Sequence, residues 1–123
     1  MITAEIITIG TEIVLGQIVD TNTPHIAQNL SEKGIQVLFQ TSVGDDKALL
    51  KSALKIARDR VSLIITTGGL GPTANDITRE AVSEFFGIPL VPDKEAYARI
   101  QKILKNQHIN KQDEYRKQAM IPE

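Results

Sequence analysis

A chain of 123 residues has the length of one domain with a single core, and its 41% hydrophobic and 24% charged residues argue against disorder. A net charge of −1 supplies no basic field for nucleic acid, and the absence of cysteine excludes disulfides, thiolate metal centres and a cysteine nucleophile. No apolar run approaches the roughly 20 residues of a membrane span, and MITAEIITIG lacks the features of a signal peptide, so a cytoplasmic protein without nucleic-acid or membrane partners is expected.

The first expected element is a strand over AEIITIG (4–10), followed by Gly10, Thr11 and Glu12. The LGQIVDTN that comes next does not read as a helix start, which leaves Glu12 without a capping role. A helix is expected from Thr23 to Lys33, with Ile26, Ala27 and Leu30 on one face and Gly34 placed to end it. Asp20 and Asn22 both stand where a cap belongs; capping is favoured for Asp20, and Asn22 is counted among the ligand-binding residues.

IQVLFQTSVG (35–44) reads as the second strand, and Gly44, Asp45 and Asp46 follow it. Asp45 to Arg60 carries the apolar stripe Leu49, Leu50, Ala53, Leu54 and Ala57, a second helix. The third strand is VSLIITTGG (61–69). A third helix spans Asp76 to Phe86, with Ile77, Ala81, Val82, Phe85 and Phe86 in the core, and stops at Gly87. IPLV (88–91) is short and contains Pro89, the mark of an edge strand. Asp93 caps a last helix to about Asn106. The polar stretch 106–118 reads as a loop with a short helix, and QAMIP resembles the approach to another strand, so residues 1–123 read as one domain truncated at its C-terminus. Alternating strands and helices imply an α/β fold with a parallel sheet covered on both faces.

In such sheets ligands bind beyond the carboxyl ends of the strands. There the three strands deliver Glu12, Asp45 and Asp76 to one rim. The turn in TTGGLGPTANDITRE (66–80) adds the complementary half. Gly68, Gly69 and Gly71 permit positive φ and close backbone approach. Their N–H groups and the following helix start can cradle a phosphate, and Thr67, Thr73 and Thr78 add hydroxyls. Phosphate beside carboxylates calls for a divalent cation such as Mg²⁺. A phosphorylated small molecule bound with metal is therefore the expected ligand. The bland reading treats Asp45 and Asp76 as helix-start residues favoured by the macrodipole, Arg79 and Lys117 as solvated surface charges, and His25 and His108 as surface histidines.

GTEIVLGQIVDTNTPHIAQNLSEKGIQV (10–37), TTGGLGPTANDITREAV (66–82) and RKQAMIPE (116–123) resemble the N-terminal domain of the CinA family, within the molybdopterin-binding superfamily that includes MoaB and MogA. The resemblance implies a three-layer α/β/α sandwich. It also implies that Gly68, Gly69, Gly71, Pro72 and Thr73 hold a phosphate, and that Asp76, Asp45 and Glu12 match acidic residues tied to activity, with Asp45 and Asp76 as metal ligands. Asn75 stands where many CinA-like chains carry a second acidic residue. Homo-oligomers are common in the superfamily and are expected here. The implied activity is metal-dependent hydrolysis of ADP-ribose to AMP and ribose 5-phosphate. Adenylylation or binding of molybdopterin, and a non-catalytic binding module, are the rival readings.

Overall fold

The computed structural model describes residues 1–107 and 115–123. Three parallel strands, β1 (Thr3–Ile9), β2 (Gln36–Val43) and β3 (Leu63–Thr67), form a sheet in the order β2-β1-β3. The central strand β1 is the driest element because it is paired on both edges and covered on both faces. Its side chains alternate between two clusters, as strand geometry requires. Ala4 and Ile6 meet Leu30, Ile26 and Ala27 of α2 (Asn22–Glu32). Ile7 and Ile9 meet Leu50, Leu54 and Ala57 of α3 (Lys47–Arg60) and Ala81 of α4 (Thr78–Phe86). The expected three layers are thus present, with α2 on one face and α3 and α4 on the other.

Strand β2 lies at the edge and keeps its register with β1 only by a bulge. Ala4 pairs with Val37 but Glu5 pairs with Phe39, so Leu38 is an extra residue. The bulge reverses the facing of everything beyond it. Val37 therefore serves the α2 cluster while Val43 serves the α3 cluster, although both are odd-numbered.

Several expectations need correction. Glu12 lies in a one-turn helix, α1 (Thr11–Val14), closed by bonds from the Ile13 and Val14 N–H groups to the Gly10 carbonyl. Leu49 and Phe86 belong to the expected core stripes, yet they are 54% and 43% exposed. Leu49 lies at the rim of the α3 face, and Phe86 sits at the last turn of α4 with its ring edge-on to Phe85. The short strand around IPLV is β4 (Leu90–Pro92), and it joins no edge of the main sheet. It pairs antiparallel with β5 (Met120–Pro122), the strand suggested by QAMIP, in a separate two-stranded sheet. Prolines at 89 and 92 lack the N–H groups that a longer ladder would need. Between them run α5 (Lys94–Asn106), capped by Asp93 through the Ala96 N–H, and a 3₁₀ turn at Arg116–Ala119. His108 and most of the polar stretch expected as a loop lie outside the described residues. No helix among the described residues is long and apolar enough to cross a membrane.

One charge is buried in the sheet. Glu5 is 1% exposed on the α3 side of β1. Arg60 grips it at both oxygens, at 2.9 and 2.6 Å, Thr41 donates a third bond at 2.6 Å, and the guanidinium lies 3.6 Å from the Phe39 ring centroid. The Arg60 hydrogen bonds outweigh the opposing effect of burial and, with Thr41, hold the Glu5 carboxyl below its usual range. A carboxyl depressed by folding stabilises the fold fully above its unfolded pKa, and that contribution is lost as pH falls through the lower folded value. Arg60→Met, which strands the buried carboxylate, should therefore lower the melting temperature strongly at pH 7 and much less at a pH below the depressed folded pKa of Glu5. A melting-temperature loss that is the same at both pH values would remove the pair from this role.

Candidate functional site

The carboxyl ends of β1 and β3 open onto a cleft of about 310 Å³. Its lining includes Glu12, Asp45 and Asp76 together, so the three carboxylates expected on one rim do share one hollow. Asn22, Thr67, Gly68, Gly69, Thr73 and Asn75 complete the polar wall, and Thr8, Ile9 and Ile13 form its floor and flank. Of the catalytic and ligand-binding candidates read from the sequence, Gly71, Pro72 and Thr78 lie outside this lining.

The glycine turn is built by close packing. Gly68 and Gly69 take φ of 96° and 67°, a left-handed backbone that favours glycine. A Cβ on Gly68 would collide with the Ile9 carbonyl, and one on Gly69 with the Thr78 hydroxyl. Gly71 makes room for a carboxylate, because a Cβ there would lie 2.6 Å from Asp76 Oδ2. The turn's carbonyls are drawn to α4. Thr78 Oγ1 donates to Gly68 at 2.8 Å, the Thr78 N–H to Gly69 at 3.2 Å, and the Arg79 guanidinium to Leu70 and, at 3.3 Å, to Gly71. Among the described residues no acceptor is paired with the Gly69 N–H, which borders the cleft. Carbonyls held on one side and an N–H left on the other make a concavity suited to an anion.

Arg79 is therefore no solvated charge. It is 7% exposed and braces the turn from behind, and burial pulls its pKa down against the opposing charges of Glu80 and Asp76. Thr78 is likewise buried, its hydroxyl spent on the turn itself. Both roles belong to tertiary packing, and their only sequence signal was position just after the glycines.

The three carboxylates differ in commitment. Asp46, not Asp45, caps α3 by accepting from the Leu49 N–H at 3.0 Å. Asp45 turns instead to Thr11, its N–H donating to the Thr11 hydroxyl at 2.9 Å and its Oδ2 lying 3.5 Å from the Thr11 N–H. Asp76 does not cap α4, whose first residue is Thr78. Its Oδ2 accepts from the Thr73 N–H at 2.9 Å and the Thr73 hydroxyl at 2.7 Å. Partial burial opposes its ionisation, but those bonds, the Gly71 N–H and the charge of Lys117 outweigh it and hold the carboxyl below its usual range. Glu12 folds back toward Gly10, and among the described residues no donor is paired with its carboxylate.

Asp20 behaves as the capping reading expected. Its Oδ1 accepts from the Asn22 and Thr23 N–H groups at 3.0 and 3.1 Å, and its Oδ2 takes the Thr8 and Thr23 hydroxyls, which ties the start of α2 to β1. Burial opposes its charge, yet the Thr23 bonds and their neighbours leave its pKa lowered. The same anchor carries Asn22 to the cleft, where its amide donates to Thr67 Oγ1 at 3.3 Å.

Among the described residues no three acidic or histidine side chains converge on one point.

A family profile described as "Probable molybdopterin binding domain" matches residues 5–119. A protein of Caldicellulosiruptor bescii named as competence-damage inducible is 48% identical over 120 residues, which is 98% of this chain and 29% of that one. A CinA-like protein of Dictyoglomus turgidum is 43% identical over 119 residues. The chain spans about 29% of the length of these curated relatives. Among solved structures, CinA from Thermoplasma acidophilum, its function unknown, superposes with a TM-score of 0.82 at 35% identity, covering 98% of this chain and 70% of that one. The molybdopterin biosynthesis enzyme MoaB of Thermus thermophilus reaches 0.67 at 25% identity, covering 94% and 72%.

Gly68→Ala should destabilise the fold by at least about 1–3 kcal/mol from the left-handed backbone alone, with the Ile9 collision adding to it. Urea unfolding measures this. A loss below about 0.5 kcal/mol would show that the turn relaxes freely and that its geometry is not imposed by packing.

Proposed function

This chain belongs to the molybdopterin-binding domain family, in its CinA branch, and we propose that its cleft binds a pyrophosphate-containing nucleotide and hydrolyses it as a metal-dependent ADP-ribose pyrophosphatase. One observation carries the reading: a glycine turn shaped for an anion shares a single cleft with three carboxylates of unequal commitment. A site meant only to hold a phosphate gains nothing from adjacent negative charge. Carboxylates beside a phosphate become useful when a divalent cation and a water must be placed there.

Asp45 and Asp76 would hold the cation, each engaged by the protein through Oδ2. The bonds from Thr73 fix the Asp76 carboxylate in its charged form and orientation, as supporting bonds do for metal ligands generally. When bound, Mg²⁺ would neutralise phosphate charge and polarise the phosphoryl oxygens. Glu12, the one of the three cleft carboxylates with no donor among the described residues, is the group available to orient water and accept its proton. Water adds to one phosphorus of the pyrophosphate, the bridging P–O bond breaks, and the leaving phosphate carries the electron pair away. The products are AMP and ribose 5-phosphate. The N–H groups of the glycine turn would face the non-bridging oxygens as their charge grows.

A second reading is supported by the family's own description and by the likeness to MoaB. In it the same turn holds the phosphate of molybdopterin, and the carboxylates serve binding or adenylylation. The two readings separate by ligand.

Calorimetric titration with ADP-ribose, ATP and molybdopterin, each with and without Mg²⁺, followed by an assay for AMP, distinguishes them. Mg²⁺-dependent binding of ADP-ribose with release of AMP is expected. Binding of molybdopterin without that of ADP-ribose would transfer the site to the second reading, and binding without turnover would make it a ligand-binding module. Asp76→Asn keeps an acceptor oxygen for Thr73, so the chain should still fold, with a modest loss of melting temperature as charge-assisted bonds become neutral ones, while AMP release slows at least about 100-fold. Turnover within tenfold of the unsubstituted chain would remove Asp76 from the chemistry.

A further inference from the structure

The loop carrying Asp76 is held by more than the glycine turn. Lys117, in the 3₁₀ turn Arg116–Ala119, reaches back across 44 positions and donates from Nζ to the Thr73 carbonyl at 2.8 Å. Its base is anchored, since Ala119 is 1% exposed and its carbonyl accepts from the Asp93 N–H at 2.9 Å. The same ammonium lies 3.5 Å from Glu80 Oε1, on the first turn of α4. Glu80 Oε2 is buried and has no hydrogen-bond partner among the described residues.

That division of contacts runs against simple electrostatics. A charge-assisted bond to a carboxylate closes to roughly 2.7–2.9 Å and is about twice as strong as one to a neutral group. Here the ammonium makes the short contact with a neutral carbonyl and leaves the carboxylate underpaired. A buried carboxylate oxygen left without a donor costs free energy. The arrangement therefore favours the loop at the expense of the ion pair.

The consequence falls on Thr73. Its N–H and hydroxyl hold Asp76 Oδ2, and its carbonyl takes both the Asp76 N–H, at 3.1 Å, and Lys117. We propose that Lys117 and Glu80 are a positioning pair: Lys117, held back from full pairing with Glu80, pins the Thr73 carbonyl and so sets the Thr73–Asp76 loop for a pyrophosphate ligand. The inference rests on the phosphate reading of the cleft. Neither residue needs to touch the ligand.

The test combines inorganic pyrophosphate titration in Mg²⁺ with amide exchange measured by NMR, on the unsubstituted chain and on Lys117→Met, Lys117→Arg, Glu80→Gln and the Lys117→Met/Glu80→Gln double variant. Lys117→Met should speed exchange at the Thr73 and Asp76 amides at least tenfold, leave exchange at Ile7 in the core unchanged, and weaken pyrophosphate binding at least tenfold. Lys117→Arg should restore most of both. Glu80→Gln should have a smaller effect, and adding it to Lys117→Met should cost nothing further. Unchanged exchange at Thr73 in Lys117→Met overturns the inference, whatever happens to binding. Faster exchange with binding within twofold of the unsubstituted chain overturns its link to the ligand. Failure of the unsubstituted chain to bind pyrophosphate overturns the phosphate reading itself, and is distinguished from the other outcomes because the exchange result stands apart from it.

Discussion

Everything about the cleft depends on how closely β3 ends against β1. Where the chain leaves β3, the Ile9 carbonyl occupies the space in which a side chain on Gly68 would stand. One residue later the Thr78 hydroxyl does the same at Gly69. Two left-handed glycines let the backbone turn at that point instead of running past it. The turn then folds onto the start of α4, whose Thr78 and Arg79 take up its carbonyls. A wider turn would swing Asp76 away from Glu12 and Asp45 and divide the site.

The charges around the cleft are arranged in two tiers. The inner tier is acidic, with three carboxylates on the ends of three consecutive strand–turn units. The outer tier is basic. Arg79 and Lys117 stand behind the glycine turn and bind its carbonyl oxygens. The cations hold the Leu70, Gly71 and Thr73 carbonyls, while the Gly68 carbonyl, whose peptide carries the Gly69 N–H, is held by the Thr78 hydroxyl. The acids and the glycine turn share one cleft, and no basic side chain among the described residues enters its lining.

Burial is used differently at the other end of the sheet. Glu5 and Arg60 form a pair whose glutamate is almost fully enclosed, supported by Thr41 and stacked on Phe39. The β2 bulge at Leu38 brings Phe39 and Thr41 to the Glu5 side of the sheet. The same register correction carries Val43 to the α3 face and Gly44 to the rim, where Gly10 donates to the Val43 carbonyl at 2.9 Å. A bulge far from the cleft thus sets where Asp45 emerges.

How much of this was legible depended on whether the cause was local. The three strands, their helices and the rim carrying Glu12, Asp45 and Asp76 follow from apolar runs, periodicity and glycines, all of which act within a few residues. The glycine turn was legible for the same reason, because those backbone angles favour glycine. What the sequence left undetermined was decided at a distance. Asp45 and Asp46 are indistinguishable as helix-start residues until packing assigns the cap to Asp46 and turns Asp45 to Thr11. Arg79 and Lys117 look like ordinary surface charges until the fold encloses one and brings the other across the chain to the turn. The pairing of β4 with β5 joins segments some thirty residues apart. Periodicity reports which face of an element is apolar, but it carries no information about which remote donor will reach which carbonyl. That is settled only when the layers close.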